Sequence, residues 1–262
     1  MRPDEVARRL MAIRRKELEC VPRVSRIQVQ IESAIVTLDP ASASSMFPSA
    51  NRNGVYFFGC GRRVSRADLL EILNVFEVSE VQRFFIWMSP NPQEEEIIEW
   101  LRDSRLKPFK GTRYPTLIRS VEKVAPFRTP LDVRCVSRHE VEDNRDAVVR
   151  IFDPWPSSFF FESVEQAGFD HFLAYDGRTP VSAAILAHHG DFAYLGWAGT
   201  AEAYRGKGGQ NALIRARLNR AAQLGCRVAC AETLKMLKTS LGNLERNGFE
   251  TVYHKKVFVW DG

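Results

Sequence analysis

The order of apolar and polar residues predicts helices and strands that alternate along the whole chain. Near the N-terminus, Val6, Leu10 and Ile13 recur at helical spacing, so we expect an amphipathic helix over residues 3–19. Short apolar runs between polar residues predict strands. The other elements predicted before residue 125 are strands at 26–38, 55–58, 83–88 and 114–121, helices at 65–76 and 92–104, and a loop at 39–53.

The second half of the chain continues the same mixture. Asp176 and Gly177 stand between two apolar runs, which indicates a hairpin, and Gly225 is typical of the residue that follows a helix. The elements predicted here are strands at 131–136, 169–175, 180–188, 192–200, 228–233 and 251–260, and helices at 139–152, 159–164, 210–224 and 240–246. The fold class is therefore α/β with a mixed sheet.

Two prolines mark the predicted boundary between domains. Pro126 and Pro130 interrupt regular structure in a segment, 124–130, that has little periodicity. A length of 262 residues accommodates two small domains. We therefore predict one domain at 1–126 and a second at 127–262.

Composition and charge exclude several classes of protein. Hydrophobic residues make up 45% of the chain, which is ordinary for a globular protein and excludes a wholly disordered one. No run approaches the ~20 apolar residues of a membrane span. Charged residues follow Met1 closely, where an export signal would be apolar, so we expect a cytoplasmic protein with no membrane partner. The net charge of +5 comes from interleaved signs, which argues against a nucleic-acid partner.

The cysteines predict neither disulfides nor a metal site. They are scattered and lack a C-x-x-C pair, and no nearby histidine completes a set of metal ligands. We expect reduced, buried thiols and no bound metal. The residues concerned are Cys20, Cys60, Cys135, Cys226 and Cys230.

A glycine-rich turn between a predicted strand and a predicted helix is the most informative segment. Its glycines let the backbone approach a ligand, and the N-terminus of the following helix directs unpaired N–H groups at the turn, which favours phosphate. The turn lacks the spacing of a Walker loop or of a dinucleotide fingerprint. Taken alone, it is also compatible with a plain strand-to-helix connection. The predicted pyrophosphate cradle consists of Arg205, Gly206, Lys207, Gly208, Gly209 and Gln210.

Two motifs together resemble the GNAT superfamily of N-acetyltransferases. Residues 205–210 are similar to its Q/R-x-x-G-x-G/A loop for acetyl-CoA, and residues 240–249, SLGNLERNGF, are similar to its S-x-x-N-x-x-R-x-G-F segment. The predicted element order over 131–260 also matches. The resemblance implies the acyl-CoA N-acyltransferase (GNAT) fold. It also implies an N-acetyltransferase that moves the acetyl group of acetyl-CoA, its co-substrate, directly to an amine without a metal.

The resemblance also implies how acetyl-CoA binds. The N–H groups of residues 205–210 would hold the diphosphate. The backbone of Ala198, Gly199 and Thr200 would pair with the pantetheine arm like an added strand, and Asn243 would hydrogen-bond the arm or its sulfur end.

The sequence departs from the family pattern at three positions. Leu244 stands where many members place the tyrosine that reprotonates the leaving thiolate. Gln210 replaces a small residue, and Glu202 replaces a common proline. The usual general acid is therefore missing from its usual place.

Other residues are candidates for the proton transfers. The amine must be neutral to attack, so a base is needed, and Glu232 near the end of strand 228–233 is best placed; a structural role at the strand end is the alternative. Tyr253 and Ser240 are candidates for protonating the thiolate, although Tyr253 also fits an ordinary strand position.

The acceptor pocket is expected from the segment that follows helix 139–152. Trp155 and Phe159 would offer an aromatic wall, and Glu162 would face a cationic amine. Packing in the core is the alternative for the aromatic residues. We expect the acceptor to be an amine of a small molecule or a peptide. The sequence is also compatible with a homodimer.

The first half contains no acetyl-CoA loop. Its strand–helix–strand order over 83–121 repeats the order that ends the second half, so it resembles a degenerate GNAT half, as in tandem members. We expect it to lack the cofactor site and to serve as a docking partner or to shape the acceptor site. Two alternative functions remain: a non-catalytic acyl-CoA-binding or regulatory module, and aminoacyl transfer from tRNA, against which the interleaved charges argue.

Overall fold

The computed structural model describes residues 1–20, 27–31, 34–38, 53–79, 81, 83–109, 114–153 and 157–261. Its helices are α1 (Pro3–Glu19), α2 (Arg66–Val78), α3 (Glu94–Asp103), α4 (Arg138–Asp143), α5 (Arg145–Phe152), α6 (Ser158–Glu162), α7 (Gly209–Gln223) and α8 (Lys238–Arg246). Its strands are β1 (Ile27–Ile31), β2 (Ala34–Leu38), β3 (Gly54–Phe58), β4 (Arg83–Met88), β5 (Lys107–Pro108), β6 (Tyr114–Ser120), β7 (Asp132–Val136), β8 (Phe169–Asp176), β9 (Thr179–His189), β10 (Phe192–Thr200), β11 (Val228–Glu232) and β12 (Glu250–Asp261). The predicted order of elements is confirmed, except that the short strand β5 was not predicted.

Two predicted elements are wrong in extent. The strand predicted at 26–38 is an antiparallel pair, β1 and β2. The helix predicted at 139–152 is divided into α4 and α5, because the Asn144 side chain donates to the Glu140 carbonyl where α4 ends. The loop predicted at 39–53 lies, except for Asn53, outside the described residues.

The chain forms two compact units whose segments interleave in sequence. Unit 1 consists of Met1–Met11, Pro22–Tyr114 and Tyr253–Gly262, and unit 2 consists of Ala12–Val21 and Pro115–Val252. The predicted domains, 1–126 and 127–262, are continuous and therefore differ from these units. The physical reason is strand pairing: β6 pairs with β11 in unit 2, whereas β12 pairs with β4 in unit 1.

Unit 1 contains one mixed sheet, in the order β1-β2-β3-β4-β12, with β5 beside β12. Among the strand pairs described in this unit, only β3 and β4 are parallel, and α2 connects them. The buried side chains of α2, including Leu69 and Ile72, join the sheet in one apolar core. Phe76 stacks on Phe84 of β4 with ring centroids 4.1 Å apart. The α2 stripe therefore fixes the helix against its sheet.

Unit 2 repeats this plan, with the sheet order β6-β11-β10-β9-β8-β7. Of the described strand pairs here, only β10 and β11 are parallel, and α7 connects them. Leu213, Ile214 and Leu218 of α7 are fully buried in the apolar core of this unit. In both units, one strand of the parallel pair also pairs with an antiparallel strand from the other half of the sequence: β11 pairs with β6, and β4 pairs with β12.

The predicted burial of the cysteines needs one correction. Cys60, Cys226 and Cys230 are buried, but Cys20 is half-buried and Cys135 is exposed, because β7 is an outer strand of its sheet. Within the described ranges, no helix is both long enough and apolar enough to cross a membrane.

A buried histidine makes the stability of unit 2 depend on pH. His171 of β8 is 1% exposed, and its Nε2 lies 3.0 Å from the Ser163 hydroxyl. Burial lowers the pKa of His171 to about 4. An unfolded histidine titrates near 6.5. The unfolded chain therefore binds a proton between these values that the folded chain does not, and stability falls as the pH drops through this window.

We predict that the free energy of unfolding falls by about 2–3 kcal/mol between pH 7 and pH 4 on account of this residue. Urea unfolding at several pH values measures the fall. His171→Gln keeps a neutral partner for Ser163 and should remove that part of the slope. An unchanged slope in this variant would show that other groups cause the pH dependence.

Candidate functional site

The first feature of the site is a gap between the parallel strands of unit 2. β10 pairs with β11 only over 192–194, opposite 228–230. Beyond this, β10 continues along β9 to Thr200, while β11 continues along β6 to Glu232. The two strands therefore diverge at their C-terminal ends, and backbone groups of both face a notch.

A β-bulge lies at this notch. Trp197 and Ala198 together stand opposite one residue of β9, Ala184, because the register shifts between Gly196 and Gly199. Trp197 has a φ of 45°, a left-handed conformation that is costly for a bulky residue. The bulge turns backbone groups of Trp197 and Ala198 out of the β9 ladder, where they are available to a ligand.

A buried arginine fixes the strand at this bulge. Arg217 of α7 is 1% exposed, and its Nη1 donates to the carbonyls of Gly196 at 3.1 Å and Ile185 at 3.0 Å. Burial lowers the pKa of Arg217 to about 9, so the side chain is still cationic at neutral pH. Arg217 lies on the apolar stripe of the helix, between Leu213 and Ala221. That spacing is a signal that the sequence analysis missed.

The predicted pyrophosphate cradle is the N-terminus of α7. Gly206 and Gly208 adopt φ values of 85° and 87°, which favour glycine. The first intrahelical hydrogen bond joins Ala212 N–H to the Gly208 carbonyl. The N–H groups of residues 209–211 therefore have no acceptor within the helix, and no side chain of the described residues caps them.

The turn is closely packed on one side and charged on the other. A Cβ on Gly209 would lie 2.3 Å from the Ser182 hydroxyl, so glycine is needed there. Lys207 Nζ pairs with Asp176 at 2.9 Å, and Arg205 is also exposed. Exposed ion pairs are weak, so both cations remain able to attract a bound diphosphate.

The corresponding helix of unit 1 is closed to anions. α2 also follows a glycine-containing turn after a strand, but Ser65 and Asp68 form a capping box at its first turn. The Asp68 carboxylate accepts from Ser65 N–H at 2.6 Å, and the Ser65 hydroxyl accepts from Asp68 N–H at 3.3 Å. A carboxylate thus already occupies the end of α2 where a phosphate would bind.

Polar side chains join α8 to the first turns of α7. Gln210 Nε2 donates to the Ser240 hydroxyl at 3.0 Å, and Asn243 Nδ2 donates to Gln210 Oε1 at 2.6 Å. Asn211 Nδ2 donates to Asn243 Oδ1 at 2.9 Å. The Gln210 side chain is therefore engaged with α8, which explains how it replaces a small residue. Both ends of the Asn243 amide are engaged, so this residue positions the first turn of α7.

The catalytic candidates lie in different places. Glu232 is half-buried at the end of β11, and Thr116 Oγ1 donates to its Oε1 at 2.7 Å. Ser240 Oγ also lies 3.0 Å from Thr233 Oγ1. Tyr253 belongs to β12 in unit 1, so its role stays a prediction. Leu244 is buried in the core of unit 2.

The acceptor candidates are only partly brought together. Phe159 is buried, and its ring lies 4.9 Å from that of Trp197 at the bulge. Glu162 is half-buried at the end of α6. Trp155 lies outside the described residues. The described ranges contain no group of three side chains suited to hold a metal ion.

The end of α1 contributes a buried carboxylate that the sequence analysis did not assign. Glu17 is 2% exposed and accepts from Arg14 Nη1 through Oε2, while its Oε1 has no hydrogen-bond partner among the described residues. Burial raises the pKa of Glu17, although Arg14 opposes the rise. Burial, Glu232 and Glu17 together raise the pKa of Tyr194. Glu17 continues the helical spacing of Val6, Leu10 and Ile13, which was the available signal.

Comparison with known proteins identifies the fold. No family model and no curated protein matches the sequence. Among solved structures, the chain is similar to a GCN5-related N-acetyltransferase from Kribbella flavida, with 16% identity and a TM-score of 0.66 over 99% of this chain and 96% of that one. The chain has the GNAT fold. At this identity, the likeness leaves the activity to the chemistry of the site.

Two further structures agree on the GNAT fold and its duplication. A GCN5-related N-acetyltransferase from Sphaerobacter thermophilus is 13% identical, with a TM-score of 0.62 over 98% of this chain and 91% of that one. A tandem GNAT protein from the clavulanic acid biosynthesis pathway is 11% identical, with a TM-score of 0.63 over 87% of this chain and 79% of that one. The GNAT fold therefore covers both halves of the chain.

We predict that a negative charge at Gly206 weakens acetyl-CoA binding. No atom of the described residues lies within 4 Å of a Cβ placed there, so Gly206→Glu and Gly206→Gln incur the same backbone strain and differ only in charge. Calorimetry should show acetyl-CoA bound about tenfold more weakly by the Glu variant than by the Gln variant. Equal affinities would place the diphosphate elsewhere.

Proposed function

We propose that unit 2 is an N-acetyltransferase that transfers the acetyl group of acetyl-CoA directly to an amine. The observation that supports this best is that two segments with unpaired backbone groups lie close together in the sequence. The uncapped N-terminus of α7 follows directly after the bulged end of β10. One suits a diphosphate, and the other suits an extended arm that ends in a carbonyl group.

The donor is held mainly by backbone groups. The N–H groups of residues 209–211 receive the diphosphate, and Arg205 and Lys207 add positive charge beside it. The edge of β10 at Ala198, Gly199 and Thr200 pairs with the pantetheine arm. An N–H group at the bulge stabilises the negative charge that develops on the thioester oxygen.

The acetyl transfer requires two proton movements. A neutral amine forms the new N–C bond as the C–S bond breaks, so Glu232 takes a proton from the amine. The departing thiolate receives a proton, for which Ser240 is the candidate in unit 2. Leu244 is apolar and buried, so it supplies no proton.

The surrounding carboxylates favour a cationic amine as the acceptor. Burial raises the pKa of the Cys20 thiol, and the charges of Glu17, Glu19 and Glu162 add to the rise. Glu17 also acts on Tyr194 together with Glu232. A protonated amine of a small molecule or a peptide fits this negative surrounding.

A second candidate function is an acyl-CoA-binding module without catalysis. The buried Leu244 at the position of the usual acid favours it. In either case, the capped end of α2 implies that unit 1 holds no acetyl-CoA, so one molecule binds per chain.

The proposed function is tested by release of free thiol from acetyl-CoA in the presence of tyramine, spermidine, an aminoglycoside and a peptide with a free N-terminus. We expect release with at least one cationic amine and a binding stoichiometry of one by calorimetry. Binding without release from any amine supports the non-catalytic module. Absence of binding contradicts both functions.

We predict that Glu232→Gln lowers kcat by about a hundredfold or more, because the variant cannot accept a proton. The affinity for acetyl-CoA should stay the same. Glu202→Gln removes an exposed carboxylate just before the glycine-rich turn and is the matched control. Normal turnover in Glu232→Gln would contradict a role as base and would mean that Glu232 only makes its structural hydrogen bond with Thr116.

A further inference from the structure

The segment that joins β6 to β7 is fastened along α7. The Val124 N–H and carbonyl each pair with the side-chain amide of Asn219 at 2.9 Å. One helical turn closer to the cradle, Arg215 Nη1 donates to the Ala125 carbonyl at 3.1 Å. Residues 124–131 form this segment, the strap, and it follows α7 towards its N-terminus.

The strap ends at the cradle and presents one aromatic ring there. Thr129 Oγ1 donates to the Lys207 carbonyl at 2.8 Å. Phe127 Cε1 lies 2.6 Å from the position that a Cβ on Gly208 would take. Phe127 is nevertheless only half-buried, and the Arg215 guanidinium lies 5.4 Å from the centroid of its ring. An aromatic residue that is partly exposed therefore lies directly beside the turn.

We propose that Phe127 is the stacking platform for the adenine of coenzyme A. The inference rests on the proposed function, which places the diphosphate at residues 209–211. From there, the pantetheine arm leads to the notch, and the nucleotide leads away from it, past the rim where Phe127 lies. Base–aromatic stacking and the cation of Arg215 both favour a purine at this rim.

The charges around Phe127 suit the rest of the nucleotide. Coenzyme A has a further phosphate on its ribose, and Arg128, the next residue along the strap, is exposed. Arg215 is only half-buried and has its Nε bonded to Asn247 Oδ1 at 3.0 Å, which fixes its position. The Arg215 guanidinium thus lies beside the ring, and Arg128 adds a second positive charge next to Phe127 in sequence, which suits a ribose phosphate.

A stacking platform for adenine distinguishes between two classes of acyl donor. Coenzyme A and acyl carrier proteins present the same phosphopantetheine arm, but only coenzyme A continues into a nucleotide. An aromatic platform outside the cradle gains binding energy from coenzyme A alone. The strap therefore makes coenzyme A thioesters the donors in preference to thioesters on a carrier protein.

Calorimetry on the full chain tests the proposal with two variants and two ligands. Phe127→Leu keeps apolar packing against Gly208 but removes the aromatic face, and Phe127→Trp keeps an aromatic face. Coenzyme A is titrated directly, and 4′-phosphopantetheine, which lacks the nucleotide, is measured by its displacement of coenzyme A.

We expect Phe127→Leu to bind coenzyme A about tenfold more weakly, with the affinity for 4′-phosphopantetheine unchanged. Phe127→Trp should retain the affinity for coenzyme A. An equal loss for both ligands would mean that Phe127 only supports the turn, and no loss would place the adenine elsewhere; either result overturns the proposal. If the wild-type chain binds no coenzyme A, the proposed function fails as well.

Discussion

The structure of unit 2 depends on the unsatisfied N–H groups at the start of α7. No helix can bond its own first N–H groups, and the residue before α7, Gly208, supplies no capping side chain. The surrounding parts hold this end open. Gly209 packs on Ser182, the strap packs on Gly208, and α8 engages the Gln210 side chain. The result is an open main-chain end that suits an anion.

The two units show how one local choice separates a binding unit from a closed one. Both use a parallel strand pair joined by a helix. In unit 1, Ser65 and Asp68 satisfy the start of the helix and place a negative charge there. In unit 2, glycine leaves the same position open. A capping serine in place of glycine, with a carboxylate three residues after it, therefore accounts for the different roles that we propose for the units.

The sequence was sufficient for the features that depend on local patterns. The glycine turn, the helix after it and the hairpins before it follow from residue types and spacing, and the structure confirms them. Features that depend on distant partners could not be predicted in this way. The exchange of β6 and β12 between units leaves no mark at Pro126, and the burial of Glu17 and Arg217 appears only once helices are packed on sheets. Their helical spacing showed the face, but not the partner.

The most direct measurement is a crystal structure of the chain with coenzyme A. We expect diphosphate oxygens within hydrogen-bond distance of the N–H groups of residues 209–211, and a pantetheine arm beside Ala198. A diphosphate bound elsewhere would contradict it. So would N–H groups at 209–211 that already donate to acceptors of the protein.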